Sequence, residues 1–266
     1  MTMKKISALA LLALIGLASV ACKAPKTEIA APAGSSDELL FKEGESYLKK
    51  DPERARLYFR QIIDSFPKSF YAQRAKLAIA DSFFNEGDES NMILAGSEYR
   101  EFISLYPYSP SATYAQYRIA LSFFDKALAP GRDQSKTSQA LAEFKKVLAM
   151  DPLSEESKPA REKIKECEEK LAEHAFGIGF YYFKAGSYKA SLSRLNDILT
   201  TYPVYSRMDA VYYYLGEGNF MVAKSEQSVP FFTKLVSDFP KSEFAPKAQA
   251  RLKEISAAPK PKPDKK

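Results

Sequence analysis

Between residues 37 and 256 the apolar positions recur on a fixed frame around five prolines: Pro67, Pro107, Pro152, Pro203 and Pro240. Twelve places before each proline stands a small residue: Ala55, Ala95, Ala140, Ser191 and Ser228. Eight places before stands a larger apolar one: Phe59, Tyr99, Phe144, Leu195 and Phe232. Five and four places before stand apolar pairs, from Ile62/Ile63 to Leu235/Val236. These offsets put the small residue, the large one and the pair on one face of a helix. Eight places after each proline stand Ala75, Ala115, Ala160, Val211 and Ala248, and twelve after stand Ile79, Ile119, Ile164, Leu215 and Leu252. A second apolar stripe therefore follows each proline.

The punctuation fits two helices per unit. An aromatic usually precedes the proline (Phe66, Tyr106, Tyr202, Phe239), and the proline stops the helix. Ser69, Ser109, Ser154 and Ser242 stand two places past it, where a side-chain oxygen can cap the next helix. Pro110 suits a first helical position. One such pair cannot bury its own apolar face, so stacked units must share a continuous core and leave a curved groove.

The unit Gly179-x-x-Tyr182-x-x-x-Gly186-x-Tyr188-x-x-Ser191-x-x-x-Leu195, closing at Pro203, resembles the tetratricopeptide repeat. The expected fold is all-α: a tetratricopeptide-type helical-hairpin solenoid of about five repeats over 37–256. Residues 125–137 read as an inserted loop. Residues 154–185 read as one long helix serving two units. Tyr182 and Tyr188 read as repeat-consensus core.

The ends differ from the body. Residues 1–21 combine a basic start (Lys4, Lys5), an apolar run and small residues before Cys22, resembling the signal peptide and lipobox of bacterial lipoproteins. Ser19 stands where Leu is usual. The resemblance implies a diacylated Cys22 thiol. Lys23 stands where an Asp would resemble an inner-membrane retention signal, which points to the outer membrane. Residues 22–36 read as the acylated cysteine and a flexible tether; the tether, 23–36, reaches at most about 45–50 Å extended and roughly 20 Å as a coil. Residues 257–266 read as a disordered Lys/Pro tail.

The net charge of +6 belongs to these ends. The leader carries two positive charges, the 23–36 segment one and the tail three, leaving 37–256 neutral. A nucleic-acid surface needs basic residues on the fold itself, so nucleic acid is not an expected partner. With Cys22 lipidated, Cys167 has no intramolecular partner and reads as a small core residue. His174, the one histidine, lies two turns beyond it. Two ligands make no zinc site, and that spacing gives no Cys–His nucleophile pair. Glu155, Glu156, Glu166, Glu168 and Glu169 interleave with Lys158, Lys163, Lys165 and Lys170, which reads as a solvated ion-paired face. No catalytic residue, metal or cofactor is expected beyond the covalent lipid.

Two strings carry a narrower resemblance: GRDQSKTSQALAEFKKVL at 131–148 and LAEHAFGIGFYYFKAGSYKASLSRLNDILTTYP at 171–203. With the lipobox and the spacing of the Tyr-Pro turns, they are similar to the BamD-like lipoproteins of the bacterial outer-membrane β-barrel assembly machine. That family implies a non-enzymatic scaffold on the periplasmic face of the outer membrane. It implies C-terminal repeats that bind a barrel-forming subunit with periplasmic repeat domains, N-terminal repeats that meet unfolded outer-membrane protein segments, and a possible place for other assembly lipoproteins. Arg194 stands where the family carries a basic partner contact, with Lys184 nearby. Phe41, Tyr47, Phe70 and Tyr71 are candidates for a groove that takes an extended peptide. The alternative is another tetratricopeptide lipoprotein, such as a secretin or pilus pilotin or a cell-wall coordination factor. A cell-wall enzyme or solute receptor would need catalytic carboxylates or a closed pocket, and the sequence displays neither.

Overall fold

The computed structural model describes residues 36–257; the expected leader, Cys22 and nearly all of the tether and tail lie outside the described residues. Within them the chain forms eleven α-helices and no strand. They are α1 (Asp37–Tyr47), α2 (Pro52–Ser65), α3 (Phe70–Glu86), α4 (Glu89–Leu105), α5 (Ser111–Phe124), α6 (Ser135–Met150), α7 (Ser157–Lys184), α8 (Tyr188–Thr201), α9 (Met208–Met221), α10 (Ser225–Asp238) and α11 (Ala245–Ala257). Each packs chiefly on its neighbours in sequence, and α1–α3 and α7–α9 contacts join adjacent hairpins. The result is five helical hairpins and a terminal helix, a tetratricopeptide-type solenoid. The loop between α5 and α6 and the 28-residue α7 take up the long spacings seen in the sequence.

The proline frame is the core. The residues twelve, eight and five places before each proline, and eight places after, are all fully buried. The larger residue of each second helix packs on the first helix of its hairpin. Three hairpins achieve this with a glycine: a Cβ built on Gly44, Gly179 or Gly216 would lie 2.6, 2.6 or 2.5 Å from the Phe59, Leu195 or Phe232 side chain.

The serines after the prolines do more than cap. Ser69, Ser109 and Ser242 each accept from the backbone N–H two residues on, at 2.9, 3.2 and 3.1 Å. Each also bonds a polar side chain near the start of the preceding hairpin's first helix: Asp37, Gln73 and Asp209 respectively. At the fourth junction Tyr205 bonds Glu173 on α7, and Arg207 joins the same carboxylate at 3.0 Å. Ser154 differs: its Oγ meets Ser157 Oγ at 3.2 Å, and Ser157 donates to the Asp151 carbonyl. Each tie is local to one edge of the stack, so repeat register is held by hydrogen bonds as well as by apolar burial.

Candidate functional site

The N-terminal hairpins enclose an open groove of about 940 Å³ lined by α1, α3 and the start of α5. Phe41 and Phe70 both line it, but differently. Phe41 is nearly buried at the base, against Phe59 and Tyr71 at 5.3 and 5.4 Å between ring centroids. Phe70 is 70% exposed, large for an aromatic at the first position of a helix. Tyr71 is half-buried behind Phe41 and does not line the groove. Tyr47 lies apart, stacked on Tyr58 at 5.7 Å under the Arg54 guanidinium at 4.1 Å. The structure thus brings two of the four candidates to the groove wall.

The group that the sequence reading missed is Arg74. Its guanidinium lies 4.3 Å from the Phe41 ring centre and 5.8 Å from that of Phe70, with Glu45 at 3.7 Å. Arg74 follows Phe70 by four residues on α3, so helical spacing alone could have paired them. The groove therefore offers apolar rings and a cation held by stacking, a combination suited to an extended segment with aromatic side chains and acceptor groups.

The groove wall is stiffened by a polar network. Asp81, on the groove face of α3, accepts from the Tyr99 and Tyr114 hydroxyls, the latter at 2.9 Å. Arg118 donates to Tyr99 Oη and to Asn85, each at 3.2 Å, and stacks on Phe84 at 3.8 Å. Burial, then the Asp81 carboxylate, push the Tyr114 phenol up to about 12. The same causes hold Tyr99 far above the usual phenol range. Both phenols therefore remain donors to Asp81 across the physiological range. Three helices, α3, α4 and α5, are cross-linked under the groove.

At the other end, Arg194 on α8 and Lys184 at the end of α7 are both exposed. Arg194 lies over α7, its Cβ 3.6 Å from where a Gly179 Cβ would stand. Tyr182 and Tyr188 are half-buried rather than core: Tyr182 meets Tyr181 at 5.9 Å and Tyr188 meets Phe183 at 5.3 Å. The buried aromatic of this helix is Phe176, and it and the half-buried Phe180 pack on Tyr214 of the next hairpin. Exposed Tyr181 and Ile178 line a shallow cleft of about 410 Å³ with Pro130 and His174. His174 Nδ1 bonds the Pro130 carbonyl at 2.6 Å and so fastens the α5–α6 loop to α7. Cys167 is fully buried, and burial pushes its thiol up to about 11. The charged face of α7 is only partly self-paired. Lys163 meets Glu166 within the helix, while Glu168 reaches Lys145 on α6 at 2.9 Å. Among the described residues no cluster of three or more His, Cys, Asp or Glu side chains could hold a metal, and no helix is long and apolar enough to cross a membrane.

An extended stack of hairpins with a polar-apolar groove defines a helical-repeat protein of the tetratricopeptide type. The sequence profile of the family described as "YfiO: Outer membrane lipoprotein" matches residues 33–219, most of the chain, and the chain belongs to that family. It is 29% identical over 192 residues to the "Outer membrane protein assembly factor BamD" of Caulobacter vibrioides, covering 72% of this chain and 62% of that protein. The chain thus spans under two thirds of that relative's length. It is 27% identical over 248 residues to the protein of the same name from Rickettsia prowazekii, covering 91% of this chain and 95% of that one. Among solved structures, the TPR2AB domain of yeast Sti1 in complex with pHSP90 is similar at 12% identity and TM-score 0.42, over 83% of this chain and 86% of that one.

Proposed function

We propose that this protein is an outer-membrane lipoprotein scaffold of the β-barrel assembly machine, held on the periplasmic face by lipid on Cys22. Its C-terminal repeats, with Arg194 and Lys184, hold the barrel-forming subunit. Its N-terminal groove, with Phe41, Phe70 and Arg74, samples unfolded outer-membrane protein segments; Tyr47 and Tyr71 support that hairpin from behind. The observation that carries this reading is the family match across most of the chain, joined to relatives named as assembly factors.

The mechanism follows from the geometry. A segment in the groove gains contact with the exposed Phe70 ring and the stacked Arg74 cation while its backbone stays solvated. Such contacts are individually weak and reversible. An anchor and a short tether confine the scaffold beside its partner, so weak contacts suffice through raised effective concentration. No step requires a bond to be made or broken.

The test is photo-crosslinking in intact envelopes from a benzophenone side chain at position 70 or at position 194. Position 70 is expected to capture nascent outer-membrane proteins, and position 194 a β-barrel protein with periplasmic repeat domains. Capture of a secretin, a pilus protein or cell-wall enzymes from both positions would overturn the reading.

A further inference from the structure

The second helix of the second hairpin, α4, carries the run Met92-Ile93-Leu94, and two of its three residues face solvent: Ile93 is 68% exposed and Leu94 45%. Neither is needed for the solenoid core, whose buried α4 positions are Ala95, Gly96, Tyr99 and Phe102. Two adjacent exposed apolar side chains beside a cleft offer a small apolar surface that a partner can cover.

Beside this run lies a cleft of about 190 Å³ between α4, the end of α5 and the start of α6. Its floor is Gly96 and Phe123, and its wall Met92 and Ile93. An apolar cavity of about 150 Å³ takes up a benzene ring, so one large apolar side chain fits here. Gly96 is buried, and a Cβ there would meet the Arg100 guanidinium at 3.3 Å, so the Arg100 side chain lies over this part of the cleft and must swing aside for an occupant to reach the glycine.

Charge decides the occupant. Three cations, Arg100, Lys126 and Lys136, line the cleft against one carboxylate, Glu89. Arg100 and Lys136 are exposed and Lys126 is half-buried, so all three can turn toward an incoming acidic group. Here the contacts are neutral. Arg100 donates to the Gly96 carbonyl at 3.2 Å and Lys126 to that of Gly87 at 3.1 Å, and Lys136 lies 5.3 Å from the Phe123 ring centre. The cations stand on three separate segments around one apolar hole. That distribution suits several carboxylates spaced along a chain better than one phosphate held at a point.

We propose that this cleft is a docking site for an acidic segment of a partner protein, with one large apolar side chain seated on Phe123 and Gly96 and flanking carboxylates paired with Arg100, Lys126 and Lys136. The site is separate from the N-terminal groove and from Arg194, and it stands whether or not the scaffold role is correct.

The probe is a short fluorescein-labelled peptide with one phenylalanine flanked by glutamates, titrated against the full chain by anisotropy. Its counterpart has every glutamate replaced by glutamine. Phosphatidylglycerol-containing vesicles, assayed by co-sedimentation, test a lipid surface. The acidic peptide is expected to bind at least about tenfold more tightly than the glutamine peptide, and to lose about tenfold with the Arg100→Glu/Lys136→Glu protein. Ile93→Ser, at an exposed position, is expected to weaken binding severalfold without lowering the melting temperature. Equal binding of the two peptides, indifference to the charge reversal, or binding of vesicles alone would overturn the proposal.

Discussion

Gly179 lies directly beneath Leu195: a β-carbon there would stand 2.6 Å from Leu195 Cδ2, and Leu195 is fully buried with no room to withdraw. The same relationship joins Gly44 to Phe59 and Gly216 to Phe232, so a missing side chain on one helix sets how closely its hairpin partner approaches. Two residues earlier on the same helix, a β-carbon on Gly177 would meet nothing within 4 Å. Gly179→Ala is therefore expected to destabilise by about 1–3 kcal/mol through overpacking. Gly177→Ala is expected to stabilise by about 0.5–1 kcal/mol through helix propensity. Urea unfolding of the two variants checks the pair, and equal effects would contradict the packing account.

The first-to-second-helix turns also set a backbone demand. Gly87 and Gly186 adopt φ of +77° and +75° there, and the corresponding turn after α9 places Ala223 at φ +59°. Alanine in the left-handed region costs about 1–2 kcal/mol, while a glycine loses about 0.4–1 kcal/mol more in chain entropy. Ala223→Gly is thus expected to raise stability slightly, by up to about 1 kcal/mol, and its melting temperature by a few degrees.

Asp81 accepts from two phenols beneath the groove. Asp81→Ala leaves the Tyr99 and Tyr114 hydroxyls and the Arg118 charge without that acceptor. An expected loss of about 2–3 kcal/mol follows from the stranded donors. Tyr114→Phe, which removes one donor and strands nothing but a still-bonded carboxylate, is expected to cost less. Chemical denaturation of both variants gives the comparison.

The Cys167 thiol is pushed from its ordinary 9.0 up to about 11. At about pH 8 it is neutral and enclosed, so iodoacetamide is expected to react only after denaturant is added. The folded value exceeds the unfolded one, so its contribution to stability is whole below pH 9.0 and lost as pH rises to about 11. Tyr114, raised in the same direction, adds to that loss. Melting temperature is expected to fall across this window, less steeply in Cys167→Ala.

Phe70 is exposed, so Phe70→Ala is expected to change stability by no more than about 0.5 kcal/mol. Binding of a denatured outer-membrane β-barrel protein, followed by fluorescence, is expected to weaken severalfold. Unchanged affinity would remove the groove from the account.

What the sequence made legible follows from period. Pro67 to Pro240 each terminate a helix, and the apolar offsets around them are one-dimensional signals that map directly onto burial. The long α7 was visible because nothing between Pro159 and Gly177 breaks a helix. The site was less legible because surfaces depend on which side of a helix meets a neighbour. Phe41 and Tyr47 sit on one helix, six residues apart, yet only Phe41 reaches the groove wall. Arg74 carried no motif and gained its role from the rings beside it. Tyr182 has the consensus spacing of a core residue yet is half-buried, and Phe176, two turns earlier, is the aromatic this helix buries.

The most direct measurement is to extract the native protein from envelopes in mild detergent and identify what co-purifies with wild type and with Arg194→Glu. The account expects a large β-barrel protein with periplasmic repeat domains beside the wild type, and its loss or marked weakening in the variant. Co-purification instead with a secretin, a pilus protein or cell-wall enzymes would leave the solenoid standing and contradict the assembly role.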